Sequence, residues 1–352
     1  MTLYKKALFL ALLLVFLPKL NGYAQDVQKI LDEVSQKIEY AQYEDADTLL
    51  CSIDDTQIAT LSDSCTIKYY VLKGICLWQL FRYEEAILFF EEVIHRTEMQ
   101  PDLFYDYISS LYMLGNCYKN EKQYDKAEGF LRKVMIKDYE GLCKFTTASL
   151  HDLTEIYNKQ GYAELANECV NRIRMEIDSD SLLTKENWKD KVTMLYNLAL
   201  SYEIIGKVDE EINIYNEILE AINKNAGNGN DDYLFYSYSL SDRLCYYNLN
   251  EKAVAILEKM INIGREVETN SVWICEAYVK YLILMARNDK VDLVRDLLRD
   301  AKEYFRKTTD FEFNHEVLRS LYYMIGNAFS EAGNLAEGAR YRLYGASAKL
   351  DN

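Results

Sequence analysis

The side chains with the most chemical potential here are three histidines, eight cysteines and a few acid pairs. His95, His151 and His315 stand far apart, with no HExxH, His-x-x-His or CxxC spacing, so no transition-metal ligand set is written locally. There is no Gly-rich phosphate cradle, no Gly-x-Ser-x-Gly elbow and no set of kinase motifs, which leaves nucleotide chemistry and triad hydrolysis without a foothold. Glu91-Glu92 and Glu210-Glu211 are the carboxylate pairs a glycosidase would need, but beside lysines and apolar neighbours they read as solvated helix faces. Asn228-Gly229-Asn230-Asp231-Asp232 offers oxygens to a calcium ion without the spaced ligands and closing Glu of an EF-hand, and reads as a linker. The expectation is no enzyme, no cofactor and no metal.

The elements behind these residues are helical. Of 352 residues only Pro18 and Pro101 are proline and 14 are glycine, too few turn-formers for a chain of short strands. A 49% hydrophobic content, with 30 tyrosines, is ample for a packed core. The net charge of −16 argues against nucleic acid and anionic membrane surfaces, whose binding requires clustered Lys and Arg. At the start, Lys5-Lys6, an apolar run from Ala7 to Leu17 and the small-residue end Gly22-Tyr23-Ala24 form the pattern of a secretory signal peptide. The run is short of the roughly 18 residues that span a bilayer. Residues 1–24 are therefore expected to be cleaved before Gln25, leaving an extracytoplasmic protein, periplasmic or secreted, with no membrane insertion. Export permits disulfides, and Cys51 with Cys65 is the first pair to consider, while Cys76 and Cys117 read as small buried hydrophobes.

From Gln25 onward the sequence repeats. Leu111, Leu114, Gly115 and Tyr118 fall at i, i+3, i+4 and i+7 on one helix, and Ala127, Leu131 and Val134 do the same on a second, with polar Lys119 to Gln123 between them. Gly74, Tyr83, Ala86, Phe90 and Val93 occupy the corresponding positions 41 residues earlier. Weaker copies follow the same phase, and eight hairpins are predicted, with first helices starting at 27, 67, 108, 147, 192, 234, 275 and 319.

This Leu-Gly-x-x-Tyr and Tyr-x-x-Ala pattern resembles the tetratricopeptide repeat family, in a long-spaced, exported form. The resemblance implies an all-α fold, a tetratricopeptide-like α-solenoid or superhelix of antiparallel helical hairpins over residues 25–352, with no internal domain boundary. It departs from the family in spacing, since the starts lie 40, 41, 39, 45, 42, 41 and 44 residues apart against about 34. Extra residues are placed in Thr97–Phe104, Asp138–Thr146, Asp178–Lys191, Asn223–Asp232 and Thr308–Asn314, with the softest point at Asn223–Asp232. The resemblance further implies a non-enzymatic scaffold or adaptor that holds a protein or peptide on its concave face. The inward positions are Trp78, Tyr112, Asn116, Lys119, His151, Tyr196, Asn197, Tyr238, Tyr246, Lys280, Tyr323 and Asn327. The basic clamp of chaperone-tail binders is not reproduced, because Val71, Ile75 and Asp152 occupy its positions. The alternative is a sensor of small peptides or glycans that acts through a partner chain.

Overall fold

The computed structural model describes residues 27–59, 61–137, 143–179, 187–267, 271–308 and 314–347. The expected signal peptide and its cleavage point lie outside them, as do parts of the predicted inter-hairpin segments. Among the described residues there are seventeen α-helices and no strand, the all-α hairpin solenoid that the spacing predicts. They divide into two compact units, one on each side of a division of the chain between Asp180 and Ser181. The division falls inside Asp178–Lys191, the longest repeat spacing, where reading the chain as one array drew no boundary.

The first unit holds four hairpins. These are α1 (27–39) with α2 (Tyr43–Cys51), α4 (Asp63–Gln79) with α5 (Tyr83–Thr97), α6 (Phe104–Asn120) with α7 (Tyr124–Lys137), and α8 (Cys143–Lys159) with α9 (Ala163–Ser179). A short α3 (Asp55–Ile58), begun by an Asp54–Gln57 capping box, joins the first hairpin to the second. The second unit has α10 (Trp188–Ile204) with α11 (Val208–Ala226), α12 (Asp231–Tyr246) with α13 (Asn250–Val267), α14 (Val272–Arg287) with α15 (Val291–Lys307), and α16 (His315–Glu331) with α17 (Leu335–Ser347). Each predicted start falls within a first helix.

One turn closes all eight hairpins. A residue with positive φ lies two positions before each second helix: Ala41, Phe81, Lys122, Gly161, Gly206, Asn248, Asp289 and Gly333. The following N–H reaches back to the carbonyl five residues earlier, as in Arg82 N to Leu77 O (2.9 Å) and Gln123 N to Tyr118 O (2.9 Å). This is the Schellman ending, which satisfies carbonyls that the terminating helix leaves open.

Packing inside a hairpin follows from residue size. Leu111, Leu114, Ala127, Leu131 and Val134 are all buried, and a Cβ on Gly115 would lie 2.8 Å from Leu131 Cδ2. Only glycine lets the two helices come so close. Gly338 stands where other units carry alanine for a related reason. Its Cβ would meet Ser330 Oγ at 2.2 Å and Gly326 O at 2.8 Å, so even a methyl group is excluded. Of Asn223–Asp232, expected to be soft, only residues 227–230 lie outside helix, and Asn230 Oδ1 caps α12 by accepting Asp232 N–H at 2.9 Å. The Cys51 and Cys65 thiols are not joined, correcting the suggested disulfide. Cys51 Sγ lies 2.9 Å from Lys73 Nζ, and Cys65 Sγ lies 3.1 Å from Gln28 Oε1. Cys76 and Cys117 are buried as expected, and desolvation pushes both thiols up to about 12.

Candidate functional site

In the first unit the first helices α4, α6 and α8 lie in sequence, and the inward positions form a hydrogen-bonded chain across them. Trp78 on α4 donates its indole N–H to Asn116 Oδ1 at 2.8 Å. Asn116 Nδ2 donates to Asp152 Oδ2 at 3.0 Å, and Asn120 Nδ2 donates to Asn116 Oδ1 at 2.9 Å. Lys119 Nζ lies 2.6 Å from both Asp152 Oδ1 and Glu155 Oε2, while Lys159 reaches the other Glu155 oxygen at 2.6 Å. Two ammonium groups thus balance two carboxylates, which is what allows Asp152 to be only 1% exposed.

Burial would raise the Glu155 carboxyl, but the two lysines outweigh it and bring it down to about 2. Tyr112 is half-buried with its hydroxyl bonded to Asp152 and Asn116, and burial beside Asp152 pushes that phenol well up. His151 is held below the ordinary imidazole range by loss of hydration, so it stays neutral near pH 7. Tyr112, Asn116 and Lys119 therefore spend their polar atoms on neighbouring helices, and Asn116 is only 7% exposed. Removing Tyr112 or Asn116 would leave buried partners unpaired, so both help to hold the fold.

In the second unit the first helices carry rings instead. Tyr196 on α10 meets Tyr215 and Tyr236 edge-on, with centroids 6.4 and 5.4 Å away. Tyr236 meets Phe235 at 5.0 Å, Phe235 meets Trp273 on α14 at 4.9 Å, and Trp273 meets Tyr238 at 5.9 Å. Lys280 places its ammonium 4.2 Å from the centre of the Tyr238 ring and pairs with Asp242. The belt from Tyr196 to Lys280 is partly exposed along its length. Sequence reading found Tyr196, Tyr238 and Lys280 but missed Phe235, Tyr236 and Trp273.

Beside the belt, Arg243 Nε lies 2.8 Å from Glu211 Oε1, its Nη2 lies 2.7 Å from Glu203, and the Tyr247 hydroxyl donates to Glu211 at 2.5 Å. Glu211 is 1% exposed, which corrects its reading as part of a solvated face. Tyr246 is 72% exposed beneath the Arg243 guanidinium, 5.0 Å from the ring centre. Asn197 is partly buried on α10. Tyr323 and Asn327 lie on α16, where Arg319 covers the Tyr323 ring at 5.8 Å and Arg342 approaches Asn327 Oδ1 at 3.4 Å.

A recurrence ties the polar contacts together. Trp78–Asn116, Asn116–Asp152, Lys119–Glu155 and Asp242–Lys280 join residues 36 to 38 apart on consecutive first helices. Searching that offset for complementary pairs would have found Asp152 and Glu155. Among the described residues no group of three or more His, Cys, Asp or Glu is placed to hold a metal ion, and no helix is long and apolar enough to cross a membrane.

Antiparallel hairpins stacked in sequence and closed by one recurring turn make this a helical-repeat protein. Residues 67–96, 108–135 and 192–225 match the tetratricopeptide repeat family, and these three segments are tetratricopeptide repeats. No curated protein matches the chain. Similar solved structures include a tetratricopeptide repeat protein from Parabacteroides merdae ATCC 43184, 13% identical, covering 88% of this chain and 100% of that one with a TM-score of 0.41. The apo form of the quorum sensor NprR from B. thuringiensis is 14% identical, covering 91% and 86%, with a TM-score of 0.46. BtubC (BKLC) from P. vanneervenii is 12% identical, covering 77% and 94%, with a TM-score of 0.43.

Proposed function

We propose that this chain is a non-enzymatic interaction module that binds a polypeptide along the first helices of its second unit, and that it works outside the cytoplasm once residues 1–24 are removed. The observation that carries the reading is the belt of five neighbouring rings, Tyr196, Tyr236, Phe235, Trp273 and Tyr238, left partly exposed, backed by the buried Tyr215 and ended by the Lys280 ammonium. Aromatic side chains give large contact area with few rotatable bonds, and interface energy concentrates on such anchors. The first unit fits the role of support, because its ionisable groups on the same helices neutralise one another.

Peptides selected against the purified chain from a random display library supply the test. Phe235→Ala with Tyr238→Ala should weaken a selected peptide by about 2 kcal/mol or more, roughly thirtyfold, with helical content retained. Lys122→Ala, in an exposed turn of the first unit, should change nothing. Equal effects from both variants would remove the belt as the binding face. For export, the intact mass of protein recovered from its native host should begin at Gln25, and a retained Met1–Ala24 segment would overturn the localisation.

A further inference from the structure

The second helices of the second unit hold a feature that the proposed belt does not use. Arg295, Arg299, Lys302 and Arg306 recur at intervals of four, three and four, and so share one face of α15. They form one wall of a cleft of about 540 Å³, within the range of roughly 300–1,000 Å³ typical of ligand sites. Tyr322 on α16 with Tyr341 and Tyr344 on α17 forms the other wall. These three rings touch one another, with centroids 5.8 to 6.2 Å apart, and Phe329 stacks behind Tyr341 at 5.4 Å. The aromatic wall is thus fixed by its own packing. Arg340 adds a fifth cation, against Glu303 and Glu337, so the cleft is basic in a chain whose net charge is −16.

The cations are available to a ligand. Among the described residues, Arg295 and Arg299 pair only with Asp292 and Asp296 one turn back on the same helix, at 3.1 and 3.2 Å, with every partner more than half exposed. Such pairs contribute little and exchange readily. Lys302 is anchored, donating to the Tyr322 hydroxyl at 2.6 Å. Guanidinium groups favour flat oxyanions that take two parallel hydrogen bonds. From Arg295 to Arg306 the row extends about 16 Å along the helix, at 1.5 Å per residue, so it faces a line of charges better than a single point. The overall acidity of the chain argues against a long polyanion. We infer that this cleft binds a short acidic polypeptide segment, its carboxylates along the α15 arginines and its apolar side chains against the three tyrosines.

The test uses fluorescence anisotropy with the purified full chain and three probes: a labelled peptide of alternating glutamate and leucine, the lysine–leucine counterpart, and inorganic pyrophosphate as competitor. The glutamate peptide should bind, more weakly as salt rises, and the lysine peptide should not. Arg299→Glu with Arg306→Glu should lower affinity by about tenfold or more, while Phe235→Ala with Tyr238→Ala, which breaks the belt, should leave it unchanged. If the charge-reversed variant loses helical content, Arg299→Gln with Arg306→Gln takes its place with the same expected direction. Equal binding of both peptides, or no effect of the arginine variants, would overturn the inference. Displacement of the glutamate peptide by an equal concentration of pyrophosphate would also overturn it, making the cleft a phosphate site.

Discussion

At the scale of single residues, the contrast between Asn116 and Tyr238 organises the molecule. Both occupy inward positions by repeat phase, yet Asn116 is buried with its amide oxygen and nitrogen both hydrogen-bonded while Tyr238 keeps a partly exposed ring. The difference lies in what faces them on the next helix. Asn116 meets the carboxylate of Asp152, which must be neutralised, whereas Tyr238 meets Trp273 and a lysine that already has its acid. The charged network has a consequence in acid. The Glu155 carboxyl is depressed in the folded state from 4.5 to about 2. Its stabilising contribution is therefore complete above pH 4.5 and is lost as pH falls through about 2. Urea midpoints of the wild type and of Glu155→Gln should differ most near pH 7 and converge by about pH 2. A gap that stays constant across that range would show that Glu155 is not held by Lys119 and Lys159.

At the scale of elements, the recurring turn carries the hairpin, and its cost depends on the residue placed there. Gly161, Gly206 and Gly333 adopt the left-handed conformation freely, and Asn248 and Asp289 tolerate it, but Ala41, Phe81 and Lys122 do not favour it. The turns with glycine or asparagine announce themselves in sequence. Those with Ala41, Phe81 and Lys122 do not, because the closing helix pair, rather than local preference, imposes the conformation. Lys122 is exposed at φ 59°, so Lys122→Gly should stabilise the chain. The relief of about 1–2 kcal/mol is partly offset by the greater freedom of glycine when unfolded, leaving a net gain of about 0.5–1 kcal/mol. Thermal or urea unfolding would measure it, and a destabilised variant would mean the Lys122 side chain makes contacts that outweigh its strain.

At the scale of the whole molecule, two compact units built from hairpins that pack on their sequence neighbours should respond locally to damage. Ala127→Trp overfills a fully buried position between α6 and α7, at a cost of about 1–3 kcal/mol. Hydrogen exchange should then show lost protection in α6, α7 and their neighbours α5 and α8, with α12 to α15 unchanged. Loss spread evenly over both units would show one cooperative block instead.

Hairpin count, phase and small-residue positions were legible from sequence because they depend on periodicity within single helices. Leu111, Leu114 and Tyr118 lie on one face whatever the neighbours do, and Gly115 and Ala127 mark where a second helix must approach closely. The acidic balance likewise needed no coordinates. Only the tertiary structure decided which inward residues are spent and which are presented. That depends on how far each first helix is rotated and shifted against the next, and the contacts recur at 36 to 38 residues while the repeat itself varies from 39 to 45. The burial of Glu211 under Arg243, the entry of Phe235 and Trp273 into the belt and the meeting of the α15 arginines with Tyr322, Tyr341 and Tyr344 all arise from that packing between helices. Periodicity along one helix specifies a face, but not what the next helix sets against it.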